Sequence, residues 1–147
     1  MNKNGEVILI DDDTDDRELF LHAYKELGIK NHLRVFNSAI EAYDYFNTSN
    51  QELFLIIADI NMPQMTGIEL RDKMQQVGAV NLRTIPFLFL TTGTAEDNLI
   101  YAYSHSVQGF FLKPGSYTGL KDIINNIFSY WKNCSEPVFS NRYPSAK

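Results

Sequence analysis

In this sequence, polar residues stand where short apolar runs stop. Asp11 and Asp12 follow Val7-Ile8-Leu9-Ile10, and Asp59 follows Leu53-Phe54-Leu55-Ile56-Ile57-Ala58. Thr91 follows Phe87-Leu88-Phe89-Leu90, and Lys113 follows Gly109-Phe110-Phe111-Leu112. Brought to one place, they would gather three carboxylates, a hydroxyl and an ammonium. Carboxylates so close repel one another, and leaving them all ionised without a counter-ion is costly. A hard divalent cation such as Mg²⁺ relieves the repulsion. It takes oxygen ligands in octahedral geometry and keeps several waters, so one or two carboxylates, a backbone carbonyl and a phosphate oxygen suit it. The ammonium offers a compact charge to a carboxylate or phosphoryl oxygen, and the hydroxyl offers one hydrogen bond. Such a set fits phosphoryl transfer to a carboxylate, in which positioning and charge neutralisation carry most of the catalysis.

The elements that must position these residues follow from hydrophobic period. The apolar runs, with Leu33 to Phe36, read as strands, and those without polar alternation as strands buried on both faces. Between them lie segments of helical spacing. Thr14 is expected to cap the first helix, with Asp15, Asp16 and Glu18 near its positive end and Gly28 at its stop. Ser38 with Glu41, and Thr66 with Glu69, read as capping boxes. A fourth helix over about Ala95 to Ser104 is expected to turn Leu99, Ile100 and Tyr103 inward. The last helix carries Leu120, Ile123, Ile124, Ile127, Phe128 and Trp131 at one face. Five strand–helix units in strict alternation predict an α/β fold, a doubly wound five-stranded parallel sheet in the order 2-1-3-4-5. Ligands of such sheets bind beyond the carboxyl ends of the strands, at the switch point between strands 1 and 3.

The 147 residues suffice for one domain, over 5–132, followed by a polar tail over 133–147. A net charge of -5 argues against nucleic acid as a partner. No apolar run approaches the roughly 20 residues that span a bilayer, and the N-terminus does not read as a secretory signal. The single cysteine, Cys134, cannot form an internal disulfide, so a cytoplasmic location is expected. His22, His32 and His105 have no metal-ligand spacing.

Taken together, Ile8-Leu9-Ile10-Asp11-Asp12-Asp13, Asp59-Ile60-Asn61-Met62-Pro63 with Met65-Thr66-Gly67, Leu90-Thr91-Thr92-Gly93 and Lys113-Pro114 resemble the receiver domain of two-component response regulators, a flavodoxin-like fold. The resemblance covers about Val7 to Trp131. It implies that Asp59 is the phosphoacceptor and that Asp11, Asp12, Asp59 and the carbonyl of Asn61 hold Mg²⁺, Asp12 directly and Asp11 often through water. It implies that Lys113 pairs with the acceptor or its phosphate, that Lys113-Pro114 is cis, and that Thr91 and the aromatic Phe110 form the switch. Phe110 lacks the phenolic hydroxyl that many receivers carry there. Thr66 stands for a common aspartate, as a helix cap. The implied donor is a sensor histidine kinase or a phosphotransfer protein. The signal is expected to leave by the face of helix 4, strand 5 and helix 5, toward a downstream protein or a second copy of the chain.

Blander and rival readings stand beside this one. Aspartates after strands also cap helices, and that reading suits Asp13. An aspartyl-phosphate phosphohydrolase would use Asp59 as nucleophile but needs a second aspartate where Asn61 stands. A pseudo-receiver scaffold would not need all the site residues, and a flavodoxin-like cofactor binder would not place three aspartates after strand 1. The expectation is a signalling domain rather than an enzyme. Thr92 occupies a place where a small residue is usual, so its side chain should narrow access to an aspartyl phosphate. Thr92→Ala is expected to shorten the phosphate lifetime, as measured by phosphate release; an unchanged lifetime would refute this role.

Overall fold

The computed structural model describes residues 1–93 and 96–136. Five strands, β1 (Glu6–Ile10), β2 (Leu33–Phe36), β3 (Leu53–Ala58), β4 (Phe87–Thr91) and β5 (Gly109–Leu112), alternate with five helices, α1 (Thr14–Glu26), α2 (Ala39–Thr48), α3 (Gly67–Val77), α4 (Glu96–Ser104) and α5 (Tyr117–Asn133). The strands pair in parallel in the order β2-β1-β3-β4-β5, as the sequence predicts. Every residue of β1, β3 and β4 is buried, whereas the edge strands β2 and β5 are mostly half-buried.

The pleat sends alternate side chains to opposite layers. Ile8, Ile10, Ile56, Phe87 and Phe89 meet Ala42, Phe46, Leu70 and Met74 of α2 and α3. Val7, Leu9, Leu55, Ile57 and Leu90 meet Phe20 and Tyr24 of α1 and Ile124 and Phe128 of α5. The stripe on α5 is as predicted, with Ile123 and Trp131 at its half-buried edge. The helix continues to Asn133, the residue at which the tail was expected to begin. The predicted tail beyond 136 and the start of helix 4 at Ala95 lie outside the described residues.

Several local expectations need correction. Asp13, not Thr14, caps α1: it is extended (φ -84, ψ 118), and its carboxylate accepts the Asp16 N–H at 3.0 Å. Thr14 is already helical, and a charged cap also suits the positive helix end. Ser38 accepts from the Glu41 N–H at 3.2 Å, but among the described residues only α3 shows both halves of a capping box, between Thr66 and Glu69. Lys113-Pro114 is trans, as are all peptide bonds among the described residues; trans is the lower-energy isomer even before proline.

The larger correction concerns α4. Leu99, Ile100 and Tyr103 face outward, at 37%, 61% and 63% exposure, while Ala102 is fully buried. A short helix that packs through an alanine turns its bulkier apolar side chains toward solvent, and the Tyr101 hydroxyl reaches Asp72 of α3 instead. Among the described residues, no helix is long and apolar enough to cross a membrane.

The start of α3 is pressed against the end of β3. The Gly67 N–H donates to the Ile60 carbonyl at 2.9 Å. A Cβ on Gly67 would lie 2.1 Å from the Asp59 carbonyl oxygen, a backbone atom that cannot yield without moving the loop. Gly67→Ala is therefore expected to destabilise the fold by about 3 kcal/mol in urea unfolding; a loss under about 0.5 kcal/mol would show that the loop absorbs the methyl group.

Candidate functional site

Strand register assembles the polar residues. Ile10 is paired with Ala58, and the Asp59 N–H donates to the Ile10 carbonyl at 2.9 Å, so Asp11 and Asp59 leave the sheet side by side. Thr91 is paired with Leu112, and the Lys113 N–H donates to the Thr91 carbonyl at 2.8 Å. β1, β3, β4 and β5 thus deliver all four side chains to one edge.

The contacts are close. The Lys113 ammonium lies 2.7 Å from Asp11, 2.7 Å from Asp16 and 2.9 Å from Asp59. The Thr91 hydroxyl donates to Asp59 Oδ1 at 2.6 Å, and the Ile60 N–H donates to the same oxygen at 2.7 Å. One carboxylate oxygen from each of Asp11, Asp12 and Asp59 lies within 4.8 Å of the others. Asp11, Asp59 and Thr91 are buried, whereas Asp12 is exposed. Asp12, Asn61, Thr92, Asp59 and Lys113 line a polar cleft of about 510 Å³ open to solvent.

Burial pushes the Asp11 carboxyl up, against the downward pull of Lys113 and the Asp13 N–H. Burial alone would lower Lys113, but its hydrogen bonds to Asp11, Asp16 and Asp59 outweigh it and raise the ammonium above its ordinary range.

Of the residues singled out in the sequence, Asp11, Asp12, Asp59, Thr91 and Lys113 come together, and Asn61 reaches the same cleft. Phe110 is half-buried, with its ring 6.0 Å from that of Phe89. Phe89 and Thr91 are two apart on β4 and share a face, so Phe110 packs beside the residue next below Thr91. His22, His32 and His105 are exposed and stand apart from the site.

Asp16 was missed. In sequence it is one of several acids at the start of α1. Its place at Lys113 depends on α1 beginning directly above the end of β1. Arg17 was missed for the same reason; its guanidinium donates to the Asp11 carbonyl at 2.9 Å and the Thr14 hydroxyl at 3.2 Å.

Removing the ammonium would leave Asp11, Asp16 and Asp59 facing one another. Lys113→Met is expected to cost about 3 kcal/mol of stability at neutral pH. Asp11, already pushed up by burial, would lose its lysine partner and hold its proton still more tightly folded than unfolded, so the variant should gain stability relative to the parent as pH falls from 7 toward 5. Urea titrations at both pH values test this; a pH-independent difference would refute it.

The family model for the response regulator receiver domain matches residues 7–125. The chain is 28% identical over 129 residues to the probable methanogenesis regulatory protein FilR2 of Methanothrix harundinacea, covering 85% of this chain and 82% of that one. It is 26% identical over 132 residues to the chemotaxis protein CheY-3 of Vibrio cholerae, covering 87% and 95% respectively. The Mn²⁺-bound form of response regulator Rcp1 superposes with a TM-score of 0.75 at 25% identity, over 91% of this chain and 99% of that one. With its strand order, its acidic edge and these likenesses, the chain belongs to the response regulator receiver domain family.

Proposed function

We propose that Asp59 accepts a phosphoryl group and that the resulting change is passed to a protein partner. The observation that carries this reading is the environment of the Asp59 carboxylate. Thr91 and the Ile60 N–H hold one oxygen and Lys113 the other, beside Asp11 and Asp12.

The donor set fits Mg²⁺: three carboxylates within reach of one another, and an exposed Asp12 with no hydrogen-bond partner among the described residues. Asp11, Asp12, Asp59 and the Asn61 carbonyl would hold the ion. Bound there, Mg²⁺ would neutralise charge on the incoming phosphoryl oxygens. That the similar response regulator Rcp1 has an Mn²⁺-bound form supports a divalent ion for this chain.

In the transfer, an Asp59 carboxylate oxygen forms a bond to phosphorus. The donor's bond to phosphorus breaks, and its electron pair leaves with the donor, a histidine kinase or phosphotransfer protein. The Lys113 ammonium then balances the new charge, and the Thr91 hydroxyl can turn from the carboxylate to a phosphoryl oxygen. Movement of Thr91 would free space on the face of β4 that Phe110 borders. The readout surface is the face of α4, β5 and α5, where Leu99, Ile100, Tyr103, Leu112 and Tyr130 are exposed. Its outward apolar side chains suit a downstream protein or a second copy of the chain.

The test is incubation with acetyl phosphate and Mg²⁺, followed by intact mass. The parent should gain one phosphoryl group, and Asp59→Asn and the parent in excess EDTA should gain none. An unlabelled parent, or a labelled Asp59→Asn protein, would overturn the assignment.

A further inference from the structure

A second polar cleft lies at the opposite end of the sheet, beneath the amino ends of β4 and β5. The end of α3, the loop over 78–86 and the turn over 105–108 enclose about 830 Å³, a volume ordinary for a small-molecule site. Arg71 and Arg83 line it together with neutral polar residues, His105 and the apolar Val80 and Leu82, and no aspartate or glutamate does so among the described residues. That is notable in a chain with 18 acidic and 13 basic side chains.

Arg71 is the unusual member. It is only 2% exposed, and its Nε and Nη1 are buried with no hydrogen-bond partner among the described residues. Its neighbour Asp72 accepts the Tyr101 hydroxyl instead of the guanidinium. Burial pulls the Arg71 guanidinium down, with Tyr101 and Asp72 opposing only at a distance. An arginine is a poor way to fill apolar space, because buried charged donors left unpaired are costly. Its planar fork instead matches the paired oxygens of a carboxylate or phosphate.

The walls are held in place without a ligand. The Gln108 side chain donates to the Leu82 carbonyl at 3.2 Å and accepts from the Phe87 N–H at 3.0 Å, tying the loop to the turn. The Asn81 side chain accepts from the Arg83 N–H at 3.1 Å, which sets the backbone from which Arg83 projects.

We propose that this cleft binds a small molecule bearing a phosphate or carboxylate group, with Arg71 as the anchor of the oxyanion and Arg83 as a second charge at the rim. A small turn of the Arg71 side chain would give its unused donors the acceptors they lack. The site is separate from Asp59 and does not depend on the function proposed for it.

The test uses the Asp59→Asn protein in EDTA, so that the acidic edge neither reacts nor holds metal. Inorganic phosphate and citrate are the probes, one for each oxyanion, followed by ¹H–¹⁵N NMR. Either probe should produce saturable shifts at the Arg71 Nε–H and at the Asn81, Arg83 and Ser106 amides, with a Kd below about 10 mM. Arg71→Met should weaken binding at least about tenfold, the loss expected for a charge-assisted hydrogen bond. No saturable shift with either probe, shifts confined to the Asp59 edge, or undiminished binding in Arg71→Met would overturn the proposal. Should Arg71→Met not fold, the exposed Arg83→Ala decides: weaker binding supports the site, and unchanged binding refutes it.

Discussion

The ammonium of Lys113 is the interaction on which the acidic edge depends. Four carboxyl groups, those of Asp11, Asp12, Asp16 and Asp59, converge at the ends of β1 and β3 and the start of α1, and Lys113 touches three of them. Without it, burying Asp11 and Asp59 would leave like charges in a medium that screens them poorly. Even with it the local balance stays negative. That imbalance suits a divalent cation, and Asp11, Asp12 and Asp59 lie close enough together to hold one.

The remainder of the fold serves to hold this edge still. Three fully buried parallel strands set the heights at which Asp11, Asp59 and Thr91 emerge, and they are clamped between two apolar layers. On the other side of Asp59, Gly67 lets α3 start against the Asp59 carbonyl. Asp59 is thus held by the sheet behind it, by the helix beside it and by hydrogen bonds to both of its carboxylate oxygens. By contrast, α4 is anchored through Ala102 and the Tyr101–Asp72 contact, with its large apolar residues outward.

Much of this was legible in the chain. Strand ends were legible to within a residue (β4 runs on to Thr91) because apolar runs stop where the chain leaves the core, and the residue after each run must lie near the sheet's edge. The Thr66–Glu69 cap and the stripe of α5 were legible because both are patterns within a few residues. The inner face of α4 was misread because apolar character and inward direction usually coincide, and here they do not. Asp13 displaced Thr14 as cap because two adjacent residues of good capping type cannot be separated until the first helical residue is known.

What the sequence by itself determined is the local chemistry: which segments are strands, which side chains end them, and hence that acids, a hydroxyl and a lysine meet at one edge. Tertiary structure alone decided which helix residues face those ends. Asp16 joins Lys113 only because α1 rises directly over β1. Arg71 is buried only because α3 is turned so that it points under the loop before β4. Such placements depend on the rotation and height of a helix against the sheet, and the packing of distant segments sets those quantities.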